Sequence, residues 1–399
     1  MFISQTMLNY PLEVKAMRIL GLIVEYNPFH NGHIYHIQKA KSLAQFDYTI
    51  AIMSSSFVQR GEPAIIDKWK RSQLAIEFGV DLVIELPFVY TCQSADYFAK
   101  GAIDLLAAIG VTDICFGSED GRISTFVDIA QAIFQHQDIY NEYVQKAMKK
   151  GLRYADACNK ALQYIMNKEI KTPNDLLGLS YVKEIIFHQY PITPHCFPRT
   201  NAYHGLNLQT IASASAIRNA IRNKQDFSHS LPHADLYHHC DLFQLEDFFP
   251  YLQYQICTSS LQELKSYHMV DEGLENLLYK HIQSCSSMEE FINQLSSKRY
   301  TRPRISRMLI HILMKNTKND IHNAMHVDYL RVLAMNQKGR QYLSTIKKTC
   351  PYSLITNLPK YHHPALEIEL KATRLLSLLS SHPQALIQEE FSHIPLIQS

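Results

Sequence analysis

The sequence lacks several features that would assign it to a specialised class of protein. None of its apolar runs reaches the roughly 18 to 20 residues that a membrane-spanning helix needs. Residues 1–16 have neither the basic start nor the apolar core of a secretory signal. The eight cysteines contain no CxxC pair, so their spacing favours no zinc site. We therefore expect a cytoplasmic protein with reduced cysteines and no membrane association, in which residues 1–16 are an N-terminal extension without a chemical role.

The chain also has almost no net charge: the formal net charge of the 399 residues is only +2. Overall charge therefore indicates no particular partner, and a site for nucleic acid must appear as a local cluster. Residues 298–348 form such a cluster, with twelve Lys or Arg and two Asp, hence a net charge of +10. The rest of the chain then carries about −8, so charge is segregated along the sequence.

The apolar pattern changes near residue 236. Between residues 17 and 235, short β-branched runs alternate with helical stretches, which is typical of βαβ units and a parallel sheet. The expected strands are residues 19–24, 48–53, 81–86, 111–116 and 192–197. From 236 to 399 the Leu- and Ile-rich stretches indicate helices, and no convincing strand is found. We predict an α/β fold, with a Rossmann-like parallel-sheet domain (17–235) followed by a smaller all-α domain (236–399).

The strongest chemical signal is the segment EYNPFHNGH, residues 25–33, directly after the first predicted strand and before a helix. Gly32 lets the backbone turn close to a ligand. The helix that follows offers unpaired N–H groups and the positive end of its dipole to a phosphate. His30 and His33 can then donate hydrogen bonds to phosphoryl oxygens as charge builds on an α-phosphate. The alternatives are a loop with two incidental histidines, or a zinc site for which no third ligand is evident.

This segment resembles the HxGH signature of the nucleotidyltransferase superfamily, and the chain from Met17 onward resembles the tRNA(Met) cytidine acetate ligase family. Further similar stretches are residues 56–64, 85–87, 116–119, 173–178, 213–218 and 298–302. The resemblance implies that acetate attacks the α-phosphate of ATP to give acetyl-adenylate and pyrophosphate. The acetyl group then passes to the wobble cytidine of elongator tRNA(Met), giving N4-acetylcytidine. ATP, acetate and this tRNA are the implied ligands, Mg²⁺ is expected with ATP, and no protein partner is predicted.

The resemblance also implies the residues of the nucleotide site, with His30 and His33 as the catalytic pair. The expected ATP contacts are Ile23, Val24, Glu25, Tyr26, Asn27, Pro28, Phe29, His30, Asn31, Gly32, His33, Ile34, Tyr35, His36, Gly117, Asn174, Arg199, Thr200, Ser215 and Arg218. Arg218 would neutralise the departing pyrophosphate. The family tends to have Pro-Asn-Asn before its Leu-Gly, whereas this chain has Asn174-Asp175, so either of these two residues could meet the nucleotide.

The basic cluster favours an RNA-binding role for the helical domain. Its predicted tRNA contacts are Lys298, Arg299, Arg302, Arg304 and Arg307, with Tyr300 as an aromatic among them. The alternative is an amphipathic helix whose basic face is merely solvated. Elsewhere, Arg60 follows the second strand and could hold a phosphate or lie in a polar turn. The basic residues Lys68, Lys70 and Arg71 flank Trp69, which could pack or stack, and the alternative is a solvated helix start.

Three functions remain open at this point. The first is the acetate-activating ligase that modifies tRNA. The second is an adenylyltransferase that acts on a small-molecule cofactor precursor through the same HxGH chemistry. The third is an RNA-binding protein that keeps ATP only as a structural or regulatory ligand. The separate motifs and the large C-terminal region favour the first over the second, and the intact His30 and His33 favour both over the third.

Overall fold

A computed structural model describes residues 17–170, 172–199 and 212–396, so that the predicted extension 1–16 and Thr200 lie outside the described residues. The strands are β1 Ile19–Val24, β2 Tyr48–Ser54, β3 Phe57–Val58, β4 Glu62–Pro63, β5 Leu82–Leu86, β6 Asp113–Ser118, β7 Thr193–Pro198, β8 Tyr329–Met335 and β9 Ser353–Ile355. The helices are α1 Asn31–Lys41, α2 Lys68–Glu77, α3 Phe88–Thr91, α4 Ala95–Ala108, α5 Ile123–Gln135, α6 Gln137–Lys149, α7 Tyr154–Met166, α8 Pro173–Phe187, α9 Ala214–Arg222, α10 Ala234–His238, α11 Phe249–Thr258, α12 Leu261–Ser266, α13 Leu274–His281, α14 Met288–Leu295, α15 Arg302–Leu313, α16 Lys318–Ala324, α17 Gln337–Ile346, α18 Pro364–Ser377 and α19 Pro383–Ser392.

Seven strands form one mostly parallel sheet in the order β7-β6-β1-β2-β5-β8-β9. The five strands from β7 to β5 are parallel. The strands β1, β2, β5 and β6 are almost wholly buried because helices cover both faces of the sheet, whereas the edge strand β7 is largely accessible. The chain builds outward from β1 through β2 to β5, then crosses to β6 on the other side of β1. The winding direction therefore reverses between β1 and β6, and ligands of such sheets bind at the carboxyl ends of the strands beside this reversal.

The predicted fold class is confirmed, but the expectation that residues after 236 contain no strand is wrong. β8 pairs antiparallel with β5, and β9 pairs parallel with β8 at the edge of the sheet. Arg331 interrupts the apolar run of β8, and β9 has only three residues, so neither strand has a clear sequence pattern. The domain boundary at 235/236 stays a prediction.

A buried cluster of charged side chains joins the C-terminal part of the chain to the parallel strands. Lys68 of α2 lies 2.6 Å from Glu85 of β5 and 2.9 Å from Glu390 of α19. Arg331 of β8 contacts the same two carboxylates at 3.2 and 2.6 Å, and all four side chains are at most 4% exposed. Burial beside Glu85 raises the pKa of neighbouring Glu369 to about 8, so this group is neutral at pH 7. Two cations therefore face two carboxylates, and the cost of desolvating each ion is offset only while its partners remain.

The alternative of a solvated start for α2 is wrong. Trp69 is 3% exposed and stacks on His393 with ring centroids 4.0 Å apart. Arg71 is fully buried and donates to the carbonyl oxygens of Glu25 at 2.8 Å and Ser54 at 2.9 Å. Lys68 and Arg71 are thus interior residues with partners elsewhere in the sequence, whereas Lys70 is 37% exposed and pairs with the nearby Asp67. Among the residues described, no helix is both long and apolar enough to cross a bilayer. The eight cysteines all lie within these residues and are free thiols.

Replacement of Arg331 by Met tests the buried cluster. The change leaves one buried carboxylate charge without compensation, so we expect the free energy of unfolding to fall by about 3–5 kcal/mol. Urea denaturation followed by circular dichroism measures this difference. Arg340→Met on the exposed part of α17 removes the same charge and is expected to change stability by less than about 0.5 kcal/mol. Equal stability of the two variants would contradict the assigned role of the cluster.

Candidate active site

A cleft of about 520 Å³ opens at the carboxyl edge of the sheet, beside the reversal between β1 and β6. This volume is typical of a small-molecule site. The cleft is lined by Ile23, Val24, Glu25, Tyr26, Asn27, His30, Gly32, His33, Tyr35, His36, Val58, Arg60, Glu62, Phe116, Gly117, Asn174, Leu177, Tyr181, Phe197, Arg199, Ala212, Ser213, Ala214, Ser215 and Arg218. Its walls are therefore the ends of β1, β6 and β7, the starts of α1 and α9, part of α8, and the β3–β4 hairpin.

The two histidines of the HxGH segment cap the start of α1. His30 is the N-cap residue, and its Nδ1 accepts the N–H of Gly32 at 3.0 Å. Nδ1 of His33 accepts the backbone N–H of His30 at 3.2 Å, which completes a reciprocal cap. A backbone N–H can only donate, so both Nδ1 atoms are unprotonated and the proton of each neutral ring lies on Nε2. Because both rings line the cleft, each can offer this Nε2–H to a ligand.

The histidine side chains of the cleft are uncharged at neutral pH. Burial lowers the pKa of His30 to about 4, and the charges of Arg199 and Arg218 add to this effect. Burial, followed by the neighbouring His30, also lowers the pKa of His33 well below its ordinary value. His36 donates from Nε2 to the carbonyl of Cys115 at 3.2 Å, which fastens α1 to β6. The lasting positive charge of the cleft therefore comes from arginines, while the histidines act as neutral donors.

The turn between β1 and α1 is fixed by side chains from other elements. Asn27 accepts the N–H of Ile65 through Oδ1 at 2.8 Å, and its carbonyl accepts Nη1 of Arg218 at 2.8 Å. Tyr26 has a φ of 50°, which is uncommon for a residue with a side chain. Its fully buried ring packs against Phe29, with centroids 4.7 Å apart. The backbone of the turn is thus held before any ligand binds.

A second helix start, that of α9, reaches the same cleft. Ser213 caps this helix by accepting the N–H of Ala216 at 3.2 Å. Arg218, one turn further on, places Nη2 3.4 Å from a carboxylate oxygen of Glu62. Ser215 lies in the first turn and lines the cleft with Arg218. Two helix N-termini and an arginine therefore border one space, an arrangement that suits an extended polyphosphate.

Asn174 and Asp175, either of which could meet the nucleotide according to the sequence, have different positions at the wall formed by β6 and α8. Asn174 lines the cleft and donates from Nδ2 to Glu119 at 2.5 Å. Asp175 is instead buried, and its Oδ1 accepts the hydroxyl of Ser118 at 2.6 Å and the N–H of Glu119 at 2.9 Å. Asp175 therefore supports the loop after β6, while Asn174 is the one available to a ligand.

Gly117 at the end of β6 leaves room for a neighbouring arginine. A Cβ at this position would lie 2.8 Å from Cγ of Arg199, closer than real contacts allow. Any side chain at position 117 would therefore displace Arg199, which lines the same cleft.

Most of the predicted ATP contacts that the structure describes come together in this cleft. Within the described ranges, only Pro28, Phe29, Asn31 and Ile34 are predicted contacts that do not line it. Phe29 is instead buried and packs against the ring of Tyr26 in the turn. Leu177 and Tyr181 also line the cleft but were not predicted, although their spacing of three and seven residues from Asn174 places all three on one helix face. Phe116 and Phe197 line it too and were not predicted, although they lie one residue before Gly117 and two before Arg199, which were.

The basic cluster of residues 298–348 is divided in the structure. Arg331 lies in the buried core described above. Arg307 is 8% exposed and donates from Nη1 to the carbonyl of Gln59 at 2.9 Å. The guanidinium of Arg307 therefore holds the β3–β4 hairpin against α15 and is little accessible, so the tRNA contact of Arg307 stays a prediction.

Lys338 at the start of α17 lies at the amino ends of the parallel strands, whereas the cleft lies at their carboxyl ends. Lys338 donates to the carbonyl of Asp47 at 3.2 Å, and Asn336 donates to Asp81 at 3.0 Å. These two aspartates directly precede β2 and β5, at the amino ends of the strands. The net charge of +10 therefore does not form one surface.

The remaining predicted tRNA contacts surround the start of α15, next to the hairpin that borders the cleft. Arg304 packs its guanidinium over the ring of Tyr300 at 4.4 Å and lies 3.9 Å from Asp271. Arg299 and Arg302 form exposed ion pairs with Glu272 and Glu289. Exposed pairs of this kind contribute little to stability, so a phosphate can replace the carboxylate at small cost.

The geometry agrees with what comparison with known proteins finds. Residues 17–390 match the model of the HIGH Nucleotidyl Transferase family. The tRNA(Met) cytidine acetate ligase of Bacillus subtilis (strain 168) is 39% identical over 95% of this chain and 97% of its own length. The protein of the same name from Geobacillus sp. (strain WCH70) is 37% identical over 96% of this chain and 100% of its own.

A solved structure is similar over almost the whole chain. The structure of Thermotoga maritima TmcAL bound with alpha-thio ATP superimposes with a TM-score of 0.86 at 30% identity, covering 96% of this chain and 100% of that one. Sequence matches and a shared architecture thus lead to the same conclusion as the capped HxGH turn: this chain belongs to the tRNA(Met) cytidine acetate ligase family of HIGH nucleotidyl transferases.

Proposed function

We propose that this chain is an ATP-dependent ligase that acetylates the wobble cytidine of elongator tRNA(Met) through an acetyl-adenylate. The observation that carries the proposal is the pair of Nε2–H groups of His30 and His33 at the start of α1, within a cleft at the reversal of the sheet. The activity for which the relatives are named supports tRNA(Met) cytidine and acetate as the substrates. The alpha-thio ATP of the Thermotoga maritima structure supports a nucleotide in this cleft.

In the proposed first step, an acetate oxygen attacks the α-phosphorus of ATP and the bond to pyrophosphate breaks. The Nε2–H groups of His30 and His33 donate to the α-phosphoryl oxygens, where charge builds during the attack. Arg218 and the N–H groups at the start of α9 neutralise the departing pyrophosphate. No side chain is needed as a nucleophile, because placement and charge stabilisation supply the catalysis.

In the proposed second step, N4 of the cytidine attacks the carbonyl carbon of the acetyl group. The new C–N bond forms as the C–O bond to AMP breaks, and N4 gives up one proton. Because an acyl adenylate is readily hydrolysed, transfer in the same enclosed cleft protects it from water. The cytidine must therefore leave the anticodon stack to enter the cleft.

We expect Mg²⁺ to enter with ATP, since it offsets the charge of the triphosphate. Among the described residues, no group of three or more His, Cys, Asp or Glu side chains could hold a metal ion. The phosphate oxygens are thus the ligands we propose for it, and no step is assigned to the ion. The eight free thiols fit a reducing compartment, so we propose a cytoplasmic location.

The function is tested by measuring pyrophosphate release from ATP with different acceptors. Acetate is expected to stimulate release, and labelled acetate is expected to appear in elongator tRNA(Met) as N4-acetylcytidine. Nicotinate mononucleotide and phosphopantetheine serve as the acceptors for the alternative adenylyltransferase. Turnover of either one, with no release in the presence of acetate, would overturn the proposal.

Replacement of His33 by Ala removes one of the two donors to the α-phosphate. We expect acetate-dependent pyrophosphate release to fall about 10²- to 10³-fold, as for the loss of one donor to a developing oxyanion. The loss of the cap is expected to cost only about 1 kcal/mol of stability, so the variant stays folded. Circular dichroism checks the fold. His136→Ala, at an exposed position after α5, is the matched control and is expected to retain full activity.

Replacement of Arg302 and Arg304 together by Gln tests the proposed tRNA surface. We expect weaker tRNA binding and a smaller dependence of affinity on salt, because two phosphate contacts are lost. Acetate-dependent pyrophosphate release without tRNA is expected to persist. The matched control replaces Lys347 and Lys348 by Gln, which removes the same charge at two exposed positions that follow α17. Equal loss of tRNA affinity in both double variants would contradict the proposed surface.

A further inference from the structure

Glu25 places a carboxylate in the wall of the cleft, and the binding of ATP does not explain why a negative group lies there. It directly follows β1, and its Oε1 accepts the backbone N–H of Gln59 at 2.7 Å. Among the described residues, Oε2 has neither a hydrogen bond nor an ion pair. A negative group beside a triphosphate is unfavourable for binding. Its presence in the cleft therefore points to a role in the chemistry.

Glu25 is held in position by the connection between β3 and β4, which packs against α15. Gln59 belongs to the hairpin connection, and its carbonyl accepts Nη1 of Arg307 at 2.9 Å. Its side chain also donates to the carbonyl of Gln93 at 3.2 Å. A Cβ on Gly61 would lie 2.3 Å from the backbone nitrogen of Arg307, so the hairpin packs on α15 without space between them. Glu25 is thereby fixed between the HxGH turn and the helix whose start carries the proposed tRNA contacts.

Several other described groups of the cleft that could accept a proton are already engaged by protein partners. Nδ1 of His30 and Nδ1 of His33 both receive backbone N–H groups, and their Nε2 atoms carry protons. Glu62 lies 3.4 Å from Arg218, on the side proposed for the pyrophosphate. Burial raises the pKa of Tyr181 well above its usual range, so its phenol stays protonated. Oε2 of Glu25 is thus a carboxylate oxygen with lone pairs open to the cleft.

The surroundings of Glu25 also adjust its basicity. Burial raises the pKa of its carboxyl group, while the N–H of Gln59 and nearby positive charges act in the opposite direction. The charged and titratable groups that interact with it are Arg60 of the hairpin, Arg71 of α2, Tyr181 of α8 and Arg218 of α9. Glu62, Arg199 and the three histidines of α1 and its cap, His30, His33 and His36, line the same cleft. A carboxylate whose pKa lies above the ordinary value is a stronger base when ionised.

We propose that Glu25 is the base of the acetyl-transfer step, an inference that rests on the proposed function. As the C–N bond between N4 and the acetyl carbon forms and the C–O bond to AMP breaks, Oε2 accepts the proton that N4 releases. The products are N4-acetylcytidine, AMP and protonated Glu25, which then returns its proton to water. The first step needs no base, because acetate enters as an anion.

Glu25→Gln tests this role, because the amide oxygen can still accept the N–H of Gln59 but the side chain no longer takes a proton. The first step is measured by acetate-dependent exchange of labelled pyrophosphate into ATP. The second is measured by single-turnover transfer from enzyme-bound acetyl-adenylate to elongator tRNA(Met). We expect transfer to fall about 10²-fold or more, and exchange to fall less than tenfold.

The pH dependence gives a second measurement that a purely structural role would not move. Protonated Glu25 cannot accept a proton, so the wild-type transfer rate is expected to fall as the pH falls through the pKa of this group. Glu25→Gln is expected to lose this acid limb, and Glu25→Asp to keep it at a reduced rate. Glu77→Gln, on an exposed carboxylate of α2 that pairs with His233, is expected to behave as wild type in all assays.

Two results would overturn the inference while leaving the proposed function intact. One is transfer by Glu25→Gln at the wild-type rate. The other is an equal loss of exchange and transfer, which would assign Glu25 to nucleotide binding or to the fold. If the wild-type chain itself shows neither acetate-dependent exchange nor acetyl transfer, the proposed function fails and this inference fails with it.

Discussion

The site depends on the reciprocal cap at the start of α1. By accepting backbone N–H groups at Nδ1, His30 and His33 satisfy donors that the first turn of a helix leaves unpaired. The same two bonds determine the protonation of the rings, since the neutral imidazole must then carry its proton on Nε2. The same two hydrogen bonds therefore stabilise the start of the helix and leave an Nε2–H donor on each ring for the cleft. Burial supports this arrangement by disfavouring the charged form of both rings, which would disrupt the cap.

The C-terminal part of the chain acts on this site through its packing. β8 extends the sheet beside β5, and the buried cluster around Arg331 and Lys68 fastens β8 and α19 to the parallel strands. α15 in turn holds the β3–β4 hairpin, which forms one wall of the cleft. The surface proposed for tRNA and the cleft proposed for ATP are thus joined by a short series of direct contacts. The proposed RNA surface and the proposed nucleotide cleft therefore adjoin the same β3–β4 hairpin.

The parallel strands and the HxGH turn could be predicted because their signals are local. The strands β1, β2 and β5 are nearly continuous apolar runs, and the histidines follow the first of them within a few residues. Several of the predictions that failed involve charged residues whose partners are distant in sequence. Lys68 and Arg331 meet Glu85 and Glu390 only in the folded chain, so a sequence pattern assigns them to the surface. The basic cluster is divided for the same reason, because neighbours in sequence lie at opposite edges of the sheet.

The division between Asn174 and Asp175 also required the structure. Both are short polar residues at the start of α8, and only their placement separates the cleft wall from the support of the loop after β6. The family assignment, by contrast, needed only several motifs in one order, and the comparisons confirm it.

A crystal structure of this chain with a non-hydrolysable ATP analogue would show whether the capped histidines meet the α-phosphate. We expect α-phosphoryl oxygens within hydrogen-bond distance, about 2.7–3.2 Å, of Nε2 of His30 and Nε2 of His33, with both Nδ1 atoms still bound to the backbone. A nucleotide bound away from the start of α1, or one that engages the rings through Nδ1 with the cap broken, would contradict this expectation.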